Sequence, residues 1–316
     1  MRWLIGLIVV LAAAGLAFGA SDYRLFQLTT VIVYAIAILG LALVTGFTGQ
    51  ISLGHGAFYA LGAYVTAVMM SLWDLPYWST LPVSALLCAA LGFLVGLPAL
   101  RLGGLYLALT TFGLAVAVPQ LLKHKLLEPW TGGVQGLVVM KPDPPEGIPL
   151  SADQWLYLFT LVVGAVMFAL ADNLVHGRIG RAMRAVRDHS LAAEATGIDV
   201  ALFKTRSFAV SAMFTGVAGS LGAIAVGFVG PDSFTVLLSI TLFVGLVVGG
   251  LTSVPGALVG AAFITFLPNA AEQVSKAAPG AIYGAILIAV LFLLPSGVAG
   301  GVTSLWRRLQ PQRGRT

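Results

Sequence analysis

Four arginines recur at every third position, Arg178, Arg181, Arg184 and Arg187. Asp188 and the small-residue run Ala192-Ala193-Glu194-Ala195-Thr196-Gly197 follow them. On a helix the guanidiniums form a slowly drifting basic arc, and Ile179, Met183 and Val186 form an apolar stripe beside it. Ser190 is placed to cap a second short helix from Leu191 to Thr196, Gly197 to close it, and Asp199 to cap the helix that follows. An arc of this kind either lies on anionic lipid or braces a docking surface for a soluble partner. Lipid accounts for the arginines. It does not account for the Ala-Ala-Glu-Ala-Thr-Gly section, which binds lipid poorly and lets a partner's groove approach the backbone. The expected docking set is Arg181, Arg184, Arg187, Asp188, Ala193, Glu194 and Gly197.

A second cluster crowds Gly46, Gly49, Gly54 and Gly56 together with Thr45, Thr48, Gln50, Ser52 and His55. Four glycines weaken a helix by about 1 kcal/mol each. Irregular backbone at membrane depth persists only where it is buried in protein or lines a cavity. The stretch is therefore either a tight cytoplasmic turn or a discontinuous element entering a solute pathway. In the second case freed amides, Gln50 and Ser52 offer hydrogen bonds to a polar solute. His55 either makes a structural hydrogen bond or relays a proton, and no second histidine or carboxylate stands at ligand spacing from it. Thr110 and Thr111 complete the pathway candidates, with back-bonding to their own helix as the alternative. Asp74 and Glu272 fall at outer span ends as solvated anchors.

Several chemistries are excluded. There is no Gly-Lys-Ser or Gly-Lys-Thr, hence no Walker A loop, and no His-Glu-x-x-His or Gly-x-Ser-x-Gly. The single Cys88 rules out an internal disulfide and a multi-cysteine metal site. The span interiors hold no acid–base pair, which speaks against a proton-driven carrier but not against a sodium-driven one. No catalytic residue and no metal ligand is expected.

The elements that must position these residues are set by composition. Of 316 residues 59% are hydrophobic and 9% charged, against about 25% charged in soluble domains, and the mean hydropathy is +0.97. The expected fold is all-α, a polytopic membrane protein forming one transmembrane domain. Ten apolar intervals are long enough to be read as spans: 3–20, 26–45, 56–73, 80–98, 104–122, 155–175, 206–229, 234–251, 255–271 and 280–296. The first could instead be a signal peptide cleaved near Ala17-Phe18-Gly19. Small residues spaced for close helix packing occur at Gly15/Gly19, Gly92/Gly96, Gly245/Gly249 and Gly256/Gly260. The net charge of +5 does not point to nucleic acid, because the basic residues flank apolar spans. They orient the set. Arg2, the 176–205 loop and the basic tail 297–316, with Arg307, Arg308, Arg313 and Arg315, are expected in the cytoplasm, which leaves the proline-rich 123–154 loop outside.

The segment Arg181-Ala182-Met183-Arg184-Ala185-Val186-Arg187, with Ala192-Ala193-Glu194-Ala195-Thr196-Gly197-Ile198-Asp199-Val200, resembles the coupling segment of the branched-chain amino acid ABC importer permeases. The match is better to the longer of their two paired types. It extends over nearly the whole chain after the first span, through Gly46-Phe47-Thr48-Gly49-Gln50-Ile51-Ser52-Leu53-Gly54-His55-Gly56-Ala57-Phe58, Pro98-Ala99-Leu100-Arg101-Leu102-Gly103-Gly104-Leu105-Tyr106-Leu107-Ala108, Thr131-Gly132-Gly133, Gly249-Gly250-Leu251-Thr252-Ser253 and Pro255-Gly256-Ala257-Leu258-Val259-Gly260-Ala261. The resemblance implies a multi-pass subunit of a bacterial inner-membrane importer working by alternating access. The implied partners are two ATP-binding cassette subunits that hold ATP and Mg, a second related permease and a periplasmic solute-binding protein, with no cofactor in this chain. Leucine, isoleucine and valine are the default solutes, and relatives carry urea, short amides and aromatic acids. Val116 and Pro119 stand where the family often has a glutamate and an arginine, which leaves the solute open. The competing reading is an autonomous ion-coupled carrier or a channel.

Overall fold

In hydrocarbon an unpartnered backbone N–H or C=O costs several kcal/mol, so an apolar run must satisfy its hydrogen bonds within itself. The runs of this chain do so as helices. The computed structural model describes residues 2–99, 104–274, 279–294 and 297–301. Leu100 to Gly103 and the tail arginines Arg307, Arg308, Arg313 and Arg315 lie outside the described residues. In chain order the helices are α1 (Arg2–Leu16), α2 (Asp22–Leu41), α3 (His55–Ser71), α4 (Tyr77–Ala99), α5 (Leu105–Leu122), α6 (Glu128–Thr131), α7 (Ala152–His176), α8 (Arg178–Asp188), α9 (Ser190–Ala195), α10 (Val200–Val226), α11 (Val236–Gly249), α12 (Gly256–Val274) and α13 (Pro279–Leu293). α2 runs directly into a π-helical turn, Ala42–Phe47, and a 3-10 turn, Pro231–Phe234, precedes α11. Among the described residues the only strands are β1 (Leu137–Val138) and β2 (Phe228–Val229).

The protein is thus an all-α membrane protein. A helix occupies each of the ten apolar intervals. Among the described residues, four helices are long and apolar enough to cross a bilayer by length and composition: α2 with its π turn, α4, α7 and α10. Two of these form the centre. In α2 and α10, 78% of the apolar stretch is buried within the protein, against 33% in α4 and 28% in α7. α10 packs on α2, α3 and α4; α2 packs on α7 and α12; α11 pairs with α12.

Glycine lets the central helices touch backbone to backbone. A Cβ at Gly62 of α3 would meet the Gly216 carbonyl of α10, and one at Gly219 of α10 would meet the Tyr59 carbonyl of α3. Three of the four expected small-residue pairs are such contacts. Gly92 and Gly96 face Ala212 and Thr205 of α10, while Gly245 and Gly249 face Gly260 and Gly256. Gly15 and Gly19 have open space beside them instead.

The two ends of the bundle differ. One carries α8, α9, the π turn and the start of α10. The other is capped by the 123–151 segment, where β1 pairs antiparallel with β2, Leu137 opposite Val229 and Val138 opposite Phe228. Ser71 Oγ donates to the Val138 carbonyl, and Lys123 pairs with Asp232. Ser151 opens α7 with a reciprocal capping box, its N–H donating to Gln154 Oε1 at 2.9 Å while its hydroxyl accepts from the Gln154 N–H at 3.2 Å. Trp73, Trp130, Tyr77 and Trp155 gather at this end, as aromatic residues do at a membrane interface.

Gly219→Ala is expected to destabilise the fold by about 1–3 kcal/mol through overpacking against α3. Gly113→Ala, in open space on α5, is expected to be neutral. Thermal unfolding of both variants in detergent checks this, and equal midpoints would refute the backbone-contact account.

Candidate functional site

The glycine-rich cluster forms a broken span. α3 has 17 residues, about 25 Å of helix, which is short of the roughly 30 Å hydrocarbon core. The irregular Thr48–Gly54 lead precedes it. The Gln50 amide Nε2 lies 3.5 Å from the Lys204 carbonyl, whereas His55 Nε2 lies 2.6 Å from Ser211 Oγ, seven residues further along α10. The lead therefore climbs about 10 Å along α10 before the helix begins. The stretch is thus a break between the π turn and α3 whose polar side chains are bonded within the protein.

Its backbone groups are met inside the protein, as burial requires. Gln50 N–H donates to the Val44 carbonyl at 3.0 Å, and Thr48 Oγ1 donates to the same oxygen at 2.6 Å. Thr45 Oγ1 donates to the Gln50 carbonyl at 3.1 Å, and Gln50 Nε2 to Thr48 Oγ1 at 3.0 Å. Leu53 N–H donates to Thr111 Oγ1 at 3.0 Å, Gly54 N–H to Ser52 Oγ at 3.4 Å and Gly56 N–H to Ser239 Oγ at 2.9 Å. Gln50, Ser52, His55 and Thr111 are all buried. Gly49, held at φ +73°, and Ile51 are the exposed points of the lead.

His55 is a three-helix lock. The Ser211 hydroxyl donates to the Gly40 carbonyl of α2 at 2.6 Å, which spends its one hydrogen. Ser211 Oγ must then accept from His55 Nε2–H. Nδ1 is left as acceptor for the Ser52 hydroxyl at 3.0 Å. The hydrogen bonding thereby assigns one tautomer, the Nε2–H imidazole, with both ring nitrogens held by serines. Phe58 and Phe208 seal the ring, with centroids 6.0 Å from it.

The remaining pathway candidate points elsewhere. Thr110 is exposed on α5, and its hydroxyl back-bonds to the Tyr106 carbonyl at 2.9 Å. Pro119 is buried within α5 and Val116 is exposed. Ser211, Ser239 and Gly40 were not singled out from the sequence. The signal available for the serines was a hydroxyl within an apolar stretch, which α10 repeats at Ser207, Thr215 and Ser220 and α11 at Thr241.

At the basic end α8 and α9 form the helix–turn–helix. Met183 and Val186 are buried, but Ile179 is exposed, which corrects the expected stripe. Gly180 takes its place because α8 presses there on the Val175 carbonyl, where no side chain fits. Ser190 is the first helical residue of α9 and makes no side-chain cap, whereas Asp199 Oδ1 accepts from the Leu202 N–H at 2.9 Å to cap α10. Gly197 closes α9 at φ +87°. Arg181 faces outward, Arg184 Nη1 donates to the Val175 carbonyl at 3.2 Å, and Arg187 donates to Asp188 and to Gly46. Ala193 is buried, while Leu191, Glu194 and Gly197 are exposed. Arg184, Arg187, Phe47, Val175 and the Gly250–Pro255 loop line a cleft of about 490 Å³.

Ser211→Ala strands His55 Nε2–H, and is expected to cost about 1–3 kcal/mol. Thr110→Val is expected to leave stability unchanged. Thermal midpoints of the purified variants compare the two, and an unshifted Ser211→Ala would contradict the lock.

A family profile described as "Branched-chain amino acid transport system / permease component" matches residues 23–294. The high-affinity branched-chain amino acid transport system permease protein LivM of Escherichia coli (strain K12) is 34% identical over 248 residues, covering 71% of this chain and 58% of LivM. The chain thus spans less than two thirds of the length of LivM. The permease protein BraD of Pseudomonas aeruginosa is 27% identical over 290 residues, covering 84% of this chain and 91% of BraD. The permease protein LivH of Salmonella typhimurium is 26% identical over 305 residues, with the same coverages. No solved structure matches. A profile that spans the broken span, α8–α9 and the core helices, with a relative 34% identical, places this chain in the family of branched-chain amino acid transport permease components.

Proposed function

We propose that the chain is a membrane-spanning subunit of an ATP-driven importer for branched-chain amino acids or chemically related small solutes, in a bacterial inner membrane. The observation that carries this reading is the outer face of α9. It presents Leu191, 80% exposed, among Ala192, Glu194 and Ala195, and it closes at an exposed Gly197. A small-residue face with one apolar knob and one carboxylate suits a protein groove better than lipid headgroups.

Two ATP-binding cassette subunits, which hold ATP and Mg, take the α8–α9 pair as their lever. A second, related permease completes the membrane part; likeness to both LivM and LivH, each a permease protein of a branched-chain system, supports a paired arrangement. Ten spans with α8–α9, the N-terminus and the 297–316 tail in the cytoplasm agree with the placement of the arginines. The 123–154 loop then faces a periplasmic solute-binding protein. Solute passes by alternating access as the spans rock. Buried Gln50, Ser52, His55 and Thr111 keep the lead in shape, and exposed Ile51 and Thr110 are the pathway-side candidates.

Co-expression with ATP-binding cassette subunits tests the reading. Glu194→Arg and Gly197→Trp are expected to abolish co-purification and to lower ATP-driven uptake at least tenfold. Normal assembly and uptake in both variants, or uphill uptake by this chain alone under a sodium or proton gradient, would overturn it in favour of a carrier.

A further inference from the structure

We infer that Arg187 is a positioning residue for transport, transmitting movement of α8 to the π turn at the end of α2 rather than gripping a partner subunit. The inference rests on the importer reading and adds to it the place where force enters the membrane part. Arg187 belongs to the basic arc and is exposed, but its guanidinium reaches the π turn. Nη1 donates to the Gly46 carbonyl at 3.1 Å, while Nε donates to Asp188 Oδ1 at 2.9 Å and so fixes the plane of the group. The aliphatic stem lies on Gly49, where an added Cβ would come within 2.9 Å of Arg187 Cγ. One side chain thus holds the start and the end of the same bend, three residues apart. Its arc neighbour Arg184 bonds instead to Val175 and secures only the corner between α7 and α8.

The far side of the bend is equally confined. A Cβ at Gly46 would strike the Leu251 carbonyl, so the turn is wedged between α8 and the loop joining α11 to α12. The cleft beside Arg187, bounded by Phe47, Val175 and Gly250, gives α8 room to shift against that loop. The turn itself is the element suited to move. A π turn carries one residue more than an α turn needs and recurs at functional sites. Shedding that residue advances everything after it by one position. A cationic donor at a helix C-terminus stabilises the end carbonyls through the dipole as well as the hydrogen bond, so the Arg187–Gly46 bond biases which form the turn takes. From there the Val44, Thr45, Thr48 and Gln50 hydrogen bonds, and then the chain itself through Ile51, lead to the Ser52, His55 and Ser211 bonds. On this inference the π turn is the two-state element that coupling requires, and Arg187 is the group that biases it.

The test uses the whole complex, this chain with the second permease, the ATPases and the binding protein, in proteoliposomes with radiolabelled leucine. Arg187→Gln is expected to co-purify at the wild-type yield and to hydrolyse ATP within twofold of wild type, while uptake falls at least tenfold. Gly49→Ala keeps the arginine but removes its seat at a left-handed position, and is expected to show the same split. Unchanged uptake in either variant overturns the inference. So does loss of uptake together with loss of assembly, because Arg187 is then a docking residue. A wild-type complex that accumulates no leucine with ATP removes the importer reading itself, before any variant is compared, and this inference falls with it.

Discussion

A backbone polar group that faces hydrocarbon alone is costly, and this constraint governs the irregular stretch at the centre of the protein. Between Phe47 and His55 the chain gives up the helical ladder inside a bundle of apolar helices. It does so because hydroxyls on three other helices stand where the ladder would have been. Thr111 of α5, Ser211 of α10 and Ser239 of α11 each meet a group of the lead or of the first turn of α3. Each of those hydroxyls would itself be a liability in an apolar core. Lead and serines are tolerable only together, which is why α2, α3 and α10 converge at this depth.

Convergence at that distance needs the removal of side chains. The contacts of Gly62 with Gly216, of Gly219 with Tyr59 and of Gly40 with Ser211 bring α2 and α3 onto α10 closely enough for short hydroxyls to bridge them. A larger residue at any of these points would widen the gap beyond the reach of serine. The glycines and the serines are thus two halves of one arrangement. The same economy appears between α11 and α12, where glycines face glycines and no polar bridge is needed.

Much of this was legible in the chain itself. Helices occupy all ten apolar intervals, because length and hydropathy are local properties. The α8–α9 pair, the Asp199 cap and the closing Gly197 follow from residue chemistry within one or two turns. What was not legible depends on partners distant in sequence. Thr110 and Thr111 are equivalent as letters and both back-bond to their own helix, yet one does so at the surface and the other, buried, also receives Leu53 from across the bundle. Ile179 fits the periodicity of α8 and is nevertheless exposed, because Gly180 and the Val175 carbonyl decide how α8 lies on α7. The glycine cluster announced a break, but only the offset between Lys204 and Ser211 along α10 gives its direction.

The antiparallel pair of Leu137–Val138 with Phe228–Val229 has a consequence for α10. That helix is followed at once by β2, where Val139 N–H also bonds to the Gly227 carbonyl at 2.9 Å, and it is preceded at once by α9. It is therefore tethered at both extremities, like a piston rod pinned to a crosshead at each end. Any lengthwise travel of α10 would drag the strand pair at one end of the bundle and α9 at the other, so the two ends would shift together.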